Sequence, residues 1–554
     1  EGNSWEVISP DLTRNDITKQ EASGGPPTKD NTGAEYYCTI FAFAESPITP
    51  GLFWAGSDDG LVHISRDGGK SWQNVTPDVL PEWALISIIE PSPHDPAVAY
   101  IAATRYKWDD FSPYLYKTND YGATWTRITT GIDENDFTRV IREDTARRGL
   151  LYAGTETGIH ISFDDGAHWQ SLQLNLPVVP IHDLVVKDSD LVVATHGRSF
   201  WILDDITPLR EANEDIQQLP AFLFQPRTTT RFMVNYGYSR AALSGNFFRD
   251  SDNTQIVSRR EERPGNITIE RPLNAGQNPP DGVIVYYTLA SKPEGEVKLS
   301  FLDAQGNEIK SFASKAEHKP AADPTDEEEE QEKKEPNATN EVGLNRFIWN
   351  MRYPDPSKVE GYVASEGVLS GPLVAPGTYQ VRLTVGDQAL VETFEVRQDP
   401  RVSATREDLE AQLHLHLKIR DKLSETHDAI NTLRNVRQQI DDWLKRTQEQ
   451  PISEALTRVG KSAKEKLKAI EDELIQSKAK TRQDTLNYPV KLNGKLAGLA
   501  GVVANAQAAP TKQAYAVFED LSQRIDAQLK QLQAVLDTDV ATFNSLLREN
   551  NVPG

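Results

Sequence analysis

The first 210 residues repeat one pattern of apolar and polar positions, in which two short apolar strands flank a polar turn. The cleanest copy has strands at residues 150–154 and 159–161, and further copies cover residues 53–64 and 191–203. Runs of this length, joined by Gly- and Asp-containing turns, predict antiparallel β-hairpins rather than helices. We therefore expect this part of the chain to consist of small sheets that follow one another.

An eight-residue pattern, S/T-x-D-x-G-x-x-W, occurs three times, at residues 65–72, 118–125 and 162–169, each time directly after a pair of such strands. We call these segments the Trp turns. Their tryptophans are 53 and 44 residues apart, close to the period of a four-stranded propeller blade. The aspartate can accept backbone N–H groups, the glycine can take a positive φ and the tryptophan can pack between blades. We therefore predict structural roles for Asp67, Trp72, Asp120, Trp125, Asp164 and Trp169.

The Trp turns resemble the Asp-box, or BNR, repeat of sialidases, xyloglucanase-type glycosidases and sortilin-type propellers. That resemblance implies a β-propeller in residues 1–210, with about four blades. Residues 2–5, Gly-Asn-Ser-Trp, match the end of a further Trp turn. Because propellers of this type usually need more blades to close, we expect the propeller to be incomplete in this chain. The missing N-terminal propeller portion would lie on the same polypeptide or on a separate chain.

From about residue 225 the period changes to strand-like runs bounded by Gly, Pro and Asn, the clearest at residues 283–287, 297–301, 346–349, 378–383 and 390–396. The Pro-Gly-Thr-Tyr sequence at 376–379 resembles the entry of immunoglobulin-like modules in secreted bacterial proteins. We therefore predict an Ig-like or fibronectin-like β-sandwich over residues 211–400. Residues 316–340 form an acidic insertion with four consecutive glutamates at 327–330. Such like-charge runs are usually solvated, so we do not interpret this one as a metal site.

After Pro400 the apolar positions follow a helical, heptad-like period. Thr405 and Asp408 resemble a capping box at the start of the first helix. Further helices are predicted from about 453 to 477, at 492–504 and after Pro510, which gives an antiparallel bundle over residues 401–554. We expect its histidines, His414, His416 and His427, at the surface. The amphipathic helices could form an internal core or also a homo-oligomer interface. The fold class is therefore multidomain, an all-β part followed by an all-α bundle.

Composition excludes several classes of function. The chain carries 82 acidic and 59 basic residues, a net charge of −23, which argues against binding to nucleic acids or anionic membranes. No apolar run approaches the roughly 18 residues that a membrane span needs. One cysteine, Cys38, excludes an intrachain disulfide and a thiolate metal cluster. We predict no metal and no cofactor.

Polar and aromatic residues are predicted to converge on the loop face opposite the Trp turns, which we call the rim. The candidate binding residues there are Asp58, Asp59, Trp83, Arg105, Tyr106, Trp108, Asp109, Asp110, Glu156, His196 and Arg198. Glycoside hydrolysis needs two carboxylates across a sugar, for which Asp58, Asp110 and Glu156 are weak catalytic candidates. The alternative for each acid is a hairpin-turn residue that bonds to its own backbone.

Taken end to end, blades, Ig-like module and helical tail resemble the large bacterial sortilin-like or BNR-repeat proteins called glycosyl hydrolases. The stretches that carry this likeness are residues 54–61, 194–198, 343–347 and 486–489. The resemblance implies an extracytoplasmic protein (secreted, periplasmic or on the cell surface) with a signal peptide upstream of residue 1. Two functions follow: binding of a glycan, peptide or protein partner through the rim, or glycoside hydrolysis of the xyloglucanase or sialidase kind. A sialidase needs an arginine triad, and only Arg105 and Arg198 are suitably placed here.

Overall fold

The computed structural model describes residues 4–30, 36–232, 239–241, 246–251, 254–263, 267–273, 276, 279–314, 335–361, 369–479, 481, 484 and 486–550. For the strands between 239 and 272, only the backbone is considered. The chain divides into two compact units, Glu1–Gln218 and Leu219–Gly554. The glutamate run at 327–330 lies outside the described residues, as do residues 2 and 3 of the additional repeat.

The first unit contains four antiparallel sheets in series. The first has strands β1 (Ile40–Glu45), β2 (Phe53–Ser57), β3 (Val62–Ser65) and β4 (Gln73–Asn74). The second has β5 (Leu85–Pro91), β6 (Ala99–Arg105), β7 (Asp110–Thr118) and β8 (Thr126–Arg127). The third has β9 (Thr138–Glu143), β10 (Leu151–Thr155), β11 (Ile159–Ser162) and β12 (Gln170–Ser171), and the fourth has β13 (Ile181–Lys187), β14 (Asp190–Thr195) and β15 (Phe200–Leu203). Two short helices follow, α1 (Thr207–Glu211) and α2 (Glu214–Gln218).

These sheets are arranged as β-propeller blades, because the first strands β1, β5, β9 and β13 lie next to one another in that order. A separate apolar cluster fills each junction between blades. The blades approach closely where β2 and β10 carry glycine. A Cβ on Gly56 would lie 2.5 Å from the Ile86 side chain, and one on Gly154 would lie 2.7 Å from that of Ile181. Glycine is therefore needed at both positions for blade packing.

Each Trp turn connects the third strand of a blade to the fourth. In the first turn, Asp67 accepts the Ser71 amide and the Ser65 hydroxyl, each at 2.9 Å. Hydrogen bonds from the Ser71 hydroxyl and amide lower the pKa of Asp67 to about 2. The tryptophan reaches the preceding blade: Trp125 Nε1 donates to the Val75 carbonyl at 2.7 Å. The Trp turns therefore lie at one end of the blades and the β2–β3-type turns at the other.

The β part of the second unit contains a β-sandwich and a separate sheet. Its strands are β16 (Ala221–Leu223), β17 (Thr229–Arg231), β18 (Ser239–Ala241), β19 (Asn246–Ser251), β20 (Thr254–Arg263), β21 (Ile267–Pro272), β22 (Val283–Leu289), β23 (Val297–Leu302), β24 (Glu308–Ala313), β25 (Gly343–Trp349), β26 (Gly377–Val385) and β27 (Gln388–Gln398). Sheets β16-β22-β25 and β17-β27-β26-β23-β24 share one core. In that core Phe301 stacks on Trp349 with ring centroids 4.4 Å apart. Strands β18–β21 form a separate four-stranded sheet.

The chain then forms α3 (Arg406–Arg446), α4 (Ser453–Leu474), α5 (Leu492–Ala504), α6 (Lys512–Val535) and α7 (Ala541–Glu549). A π turn, Leu536–Val540, separates α6 from α7. The capping box of α3 is present, with Thr405 and Asp408 bonded reciprocally. Within the described residues, every helix is either too short or too polar to cross a bilayer. The all-β part followed by the all-α bundle is thus confirmed as the fold class.

The expectation for two histidines of α3 was wrong. His416 and His427 are buried, whereas His414 is exposed. The reason is that α3 packs against a second element besides the other helices: His427 Nδ1 lies 2.6 Å from the carbonyl of Ser357, in the segment that follows β25. A heptad-like pattern identifies only the stripe that faces the bundle, so this second buried face was missed.

Candidate functional site

The rim of the first unit is formed by the turns at residues 57–61, 105–110, 155–158 and 195–199, opposite the Trp turns. The segment before β1 folds back to the same end, since Arg14 N donates to Asp59 Oδ2 at 2.7 Å. All the predicted binding residues lie on these turns or on the connections next to them. Together with their neighbours, these residues form two aromatic groups, a histidine pair and a set of acids.

The first aromatic group consists of Tyr37, Trp83 and Trp108. Tyr37 meets the Trp83 ring edge-on with centroids 5.6 Å apart, and Trp83 lies 6.4 Å from Trp108. Trp108 Nε1 also donates to the Tyr37 hydroxyl at 3.2 Å. Trp83 takes a positive φ of 63° in the turn before β5, a conformation that costs energy for a bulky residue and is often found at functional sites. The group therefore joins three chain segments that are distant in sequence.

Three cations lie against these rings. Lys19 Nζ is 5.8 Å from the Trp83 centroid and 5.7 Å from that of Trp108. The guanidinium of Arg14 lies 5.5 Å from Trp83 and that of Arg105 lies 5.6 Å from Trp108. These distances are within the range of cation–π attraction. We call Tyr37, Trp83, Trp108 and the three cations the aromatic–cationic cluster.

The backbone and acids of the rim hold two of these cations. Arg14 Nη1 lies 3.3 Å from Glu82 Oε1, and Arg105 Nε donates to the Glu82 carbonyl at 3.0 Å. Lys19 is the last residue of a short 3-10 turn, Ile17–Lys19, that Asp16 caps. The Trp108 side chain remains exposed in spite of these contacts, with 41% of its surface accessible. The cluster thus presents ordered aromatic surface with positive charge to solvent.

The second aromatic group centres on Phe137, at the start of β9. Tyr106 stacks on Phe137 with centroids 5.1 Å apart, and Phe111 lies 6.1 Å from the same ring. Arg139 covers Phe137 at 4.9 Å and is also bonded to Glu156 Oε2 through Nε (2.8 Å) and Nη2 (2.6 Å). Glu156 therefore neutralises a cation that already lies on aromatic rings.

His182 and His196 lie side by side, with ring centroids 4.7 Å apart. Burial, together with the positive charges of Arg139 and His196, lowers the pKa of His182. Arg198 follows on the same turn and is exposed; its Nη1 donates to the carbonyl of Gly197 at 3.0 Å. Arg198 therefore adds a positive charge to the rim at the fourth blade.

The acids of the first blade are buried in their own turn. Asp58 is 7% exposed and accepts the Thr39 amide at 2.8 Å and the Thr39 hydroxyl at 2.9 Å. Asp59 is fully buried and accepts the Ser57 hydroxyl at 2.5 Å as well as the Arg14 amide. Both carboxylates thus join the β2–β3 turn to the segment that precedes β1.

Asp110 is also held by its neighbours. It accepts the Tyr114 hydroxyl at 2.7 Å and the Ser112 amide at 3.1 Å, and it lies 3.4 Å from Arg105. Burial by itself would raise the pKa of Asp110, but these hydrogen bonds outweigh it and hold the pKa below the ordinary value. Asp109, at φ 55°, ends the 3-10 turn at residues 106–108 and is exposed.

The concave surface of the rim is shallow. The recess between Tyr37, Trp83, Tyr106 and Trp108 has a volume of about 10 Å³, room for roughly one water molecule. Burial raises the pKa of Glu90 to about 7, but Glu90 lies on β5 at the end away from the rim and pairs with Arg142 at 2.9 Å. In the part of the chain that the structure describes, no group of three or more His, Cys, Asp or Glu side chains is arranged to hold a metal ion.

Sequence reasoning missed several members of this site. It singled out no side chain in the segment before β1, and it passed over the residues around the start of β9. The missed residues are Arg14, Lys19, Tyr37, Phe111, Phe137 and Arg139. One available signal was Phe137, which directly precedes the buried strand β9, much as Trp83 comes two residues before β5.

Comparisons with known proteins give distant structural similarities only. No protein-family model and no curated protein matches the chain. Among solved structures, it is similar to YCF48 bound to D1 peptide (17% identity, TM-score 0.25), covering 40% of this chain and 64% of that one. It is also similar to an ancestral GH74 enzyme (16% identity, TM-score 0.25; 50% and 33% covered). A GH74 enzyme of Niastella koreensis is similar at 11% identity and a TM-score of 0.26, with 64% and 53% covered.

Proposed function

We propose that the protein binds a glycan, peptide or protein partner through the rim, with the aromatic–cationic cluster as the main contact. The observation that carries this proposal is the exposed Trp108 ring, fixed by Tyr37 and covered on part of its surface by cations. Exposed aromatic rings that are already ordered lose little conformational entropy on binding. They can stack on sugar rings or on apolar and aromatic side chains.

The charge around these rings favours a ligand that carries negative charge. Lys19 lies against Trp83 and Trp108, and the exposed Arg198 lies on the same rim, in a protein whose net charge is −23. Such local positive charge steers an acidic ligand to this face more than it would add to affinity. An acidic peptide segment or an acidic glycan therefore fits the face better than a basic one.

Glycoside hydrolysis is the second candidate, because acids and aromatic rings share the rim. A retaining or inverting mechanism needs one carboxyl whose pKa is raised so that it can act as the acid. Asp110 has a lowered pKa, Asp58 is buried with both oxygens bonded to Thr39, and Glu156 is paired with Arg139. These contacts support binding over catalysis.

A combined screen tests the proposal. The intact protein is applied to glycan and acidic-peptide arrays and, in parallel, incubated with polysaccharides while reducing ends are measured. We expect a bound ligand whose signal falls at least tenfold for Trp108→Ala and no release of reducing ends. Tyr488→Ala is the matched control, since Tyr488 is equally half-exposed and lies 5.9 Å from Lys478 in the other unit. Release of reducing ends that Asp58→Asn or Asp110→Asn abolishes would favour the hydrolase instead.

We also propose, from the resemblance to secreted bacterial repeat proteins, that the protein acts outside the cytoplasm after removal of a signal peptide. Self-association through the helical tail would use the exposed apolar side chains of α5 and α6, such as Val502 and Val517. Further propeller blades would complete the face that carries the rim. Cell fractionation and light scattering test the first two of these proposals.

A further inference from the structure

Residues 5–11 repeat the sequence that ends the first blade. Trp-Glu-Val-Ile-Ser-Pro-Asp at 5–11 aligns with Trp-Gln-Asn-Val-Thr-Pro-Asp at 72–78. In the second of these segments Gln73–Asn74 is β4, the fourth strand of its blade. Sequence alone thus gives Glu6 and Val7 the position of a fourth strand, and Trp5 the position of a Trp-turn tryptophan.

The contacts of Ile8 agree with this register. Trp72 Nε1 donates to the Ile8 carbonyl at 2.8 Å, just as Trp125 donates to Val75 and Trp169 to Ile128, each at 2.7 Å. The Trp-turn glycines repeat the relation. A Cβ on Gly69 would lie 2.7 Å from the Ile8 carbonyl, and one on Gly122 would lie 2.8 Å from the Val75 side chain. Ile8 therefore packs on the first blade as Val75 packs on the second.

Ile8 differs from Val75 and Ile128 in the burial of the side that faces away from the following blade. Val75 and Ile128 are each 6% exposed, whereas Ile8 is 41% exposed; Trp169 is 5% exposed, whereas Trp5 is completely exposed. Glu6 and Val7 pair with no strand in the described part of the chain. This is the state of a fourth strand whose own blade is absent from the described residues.

The first strand of the first blade shows the same unmatched face. Phe43 pairs with Ala55 in the register in which Ile141 pairs with Ala153 and Leu184 pairs with Val193. Ile141 and Leu184 are buried in the junctions between blades. Phe43 is 56% exposed, and its neighbour Phe41 is 58% exposed. Phe43 thus occupies a position that faces another blade elsewhere in the unit, and Phe41 is an exposed ring on the same strand.

We propose that Trp5, Ile8, Phe41 and Phe43 form a docking surface for a β-blade of the same Trp-turn type. Its third strand would pair with residues 5–8, and its inner strands would cover Phe41 and Phe43. This blade does not come from a second copy of this chain. In a second copy, the third strand that has no fourth strand beside it among the described residues is β15. A Trp turn would have to follow that strand, but the residues after β15 lead into α1 without one. Residues 2–5 instead carry the last four residues of that turn.

A graft made from the chain's own third blade tests this docking. Residues 138–165, which contain β9 to β11 and the first half of a Trp turn, are fused directly ahead of Gly2, so that Gly2 to Trp5 complete the turn. The amides of residues 5–8 and 40–44 are then followed by hydrogen exchange. We expect both segments to exchange roughly tenfold more slowly than in the 554-residue chain, because residues 5–8 gain a strand partner and β1 becomes covered by a packed blade.

The matched control is the same graft with Ala in place of the aspartate that corresponds to Asp164, which removes the turn's hydrogen bonds. We expect it to restore most of the fast exchange. Equal exchange in graft and unmodified chain overturns the proposal, and so does equal protection by both grafts. Light scattering of the unmodified chain provides a second test. A dimer that already protects residues 5–8 and 40–44, and loses that protection on dilution, would assign the surface to a second copy.

Discussion

Asp58 and Trp108 both lie on the rim, but the Asp58 side chain is buried whereas that of Trp108 is exposed to solvent. Both oxygens of Asp58 accept hydrogen bonds from Thr39, whereas 41% of the Trp108 surface is accessible. In a buried carboxylate that is fully hydrogen-bonded, the acid stabilises the turn rather than contacting a ligand. Burial and hydrogen bonding therefore distinguish the structural acids of the rim from its binding surface.

Asp58→Asn tests this separation. The substitution replaces one acceptor oxygen with an NH2 donor, which faces either the Thr39 amide, which cannot accept, or the Thr39 hydroxyl, which must then change from donor to acceptor. We expect the free energy of unfolding of the first unit to fall by about 1–3 kcal/mol, measured by urea denaturation. Ligand affinity at temperatures where the variant is folded should stay unchanged. A large loss of affinity with unchanged stability would contradict the structural role.

His416 gives a pH prediction in the second unit. Burial, assisted by Arg352 and Arg420, lowers the pKa of His416 to about 4. The unfolded chain takes up this proton near pH 6.5, so it binds more protons than the folded state between pH 6.5 and about 4. The stability that neutral His416 contributes is therefore complete above pH 6.5 and is lost as the pH falls towards 4, by about 3 kcal/mol.

His416→Gln removes that titration. We expect the free energy of unfolding of the second unit to depend less steeply on pH between 6.5 and 4 than in the parent chain. His414→Gln, at an exposed position of the same helix, is the control and should keep the parent's slope. Identical slopes for all three proteins would show that His416 does not titrate in this range.

At the scale of the elements, the blades were predictable because each one carries its own turn chemistry. The Trp turns recur in sequence at blade spacing, and their hydrogen bonds are local, between residues two to four apart. The helices were predictable from period and capping. The aromatic–cationic cluster was not, because Lys19 and Tyr37 come from a segment without periodicity. Their contacts with Trp83 and Trp108 depend on how that segment folds back, which no short-range pattern encodes.

Close packing between blades makes a prediction for β10. Gly154→Ala would place a Cβ 2.6 Å from Val140 and 2.7 Å from Ile181, so the third and fourth blades would have to separate. We expect a loss of about 1–3 kcal/mol in the free energy of unfolding of the first unit. Gly498→Ala is the contrasting control, since no atom lies within 4 Å of its added Cβ in α5. It should stabilise the second unit by roughly 0.5–1 kcal/mol, and a loss for both variants would contradict this packing argument.

For the whole molecule, the two units differ in what their surfaces offer. In the second unit the sandwich and bundle bury most of their large apolar side chains in their own cores. The first unit exposes aromatic side chains both on the rim and on the outer face of the first blade. We interpret the rim as the ligand-binding surface and the blade face as an assembly surface. The domain boundaries at 210 and 400 stay predictions, since the chain divides by contacts at Gln218.

The most direct test of the account is the dissociation constant of the strongest array ligand, measured calorimetrically for the parent, Trp108→Ala and Tyr488→Ala. We predict that Trp108→Ala binds about tenfold more weakly or worse, a loss of about 1.4 kcal/mol or more in the free energy of binding. Tyr488→Ala should bind as the parent does. Unchanged affinity in Trp108→Ala, or an equal loss in both variants, would contradict recognition through the aromatic–cationic cluster.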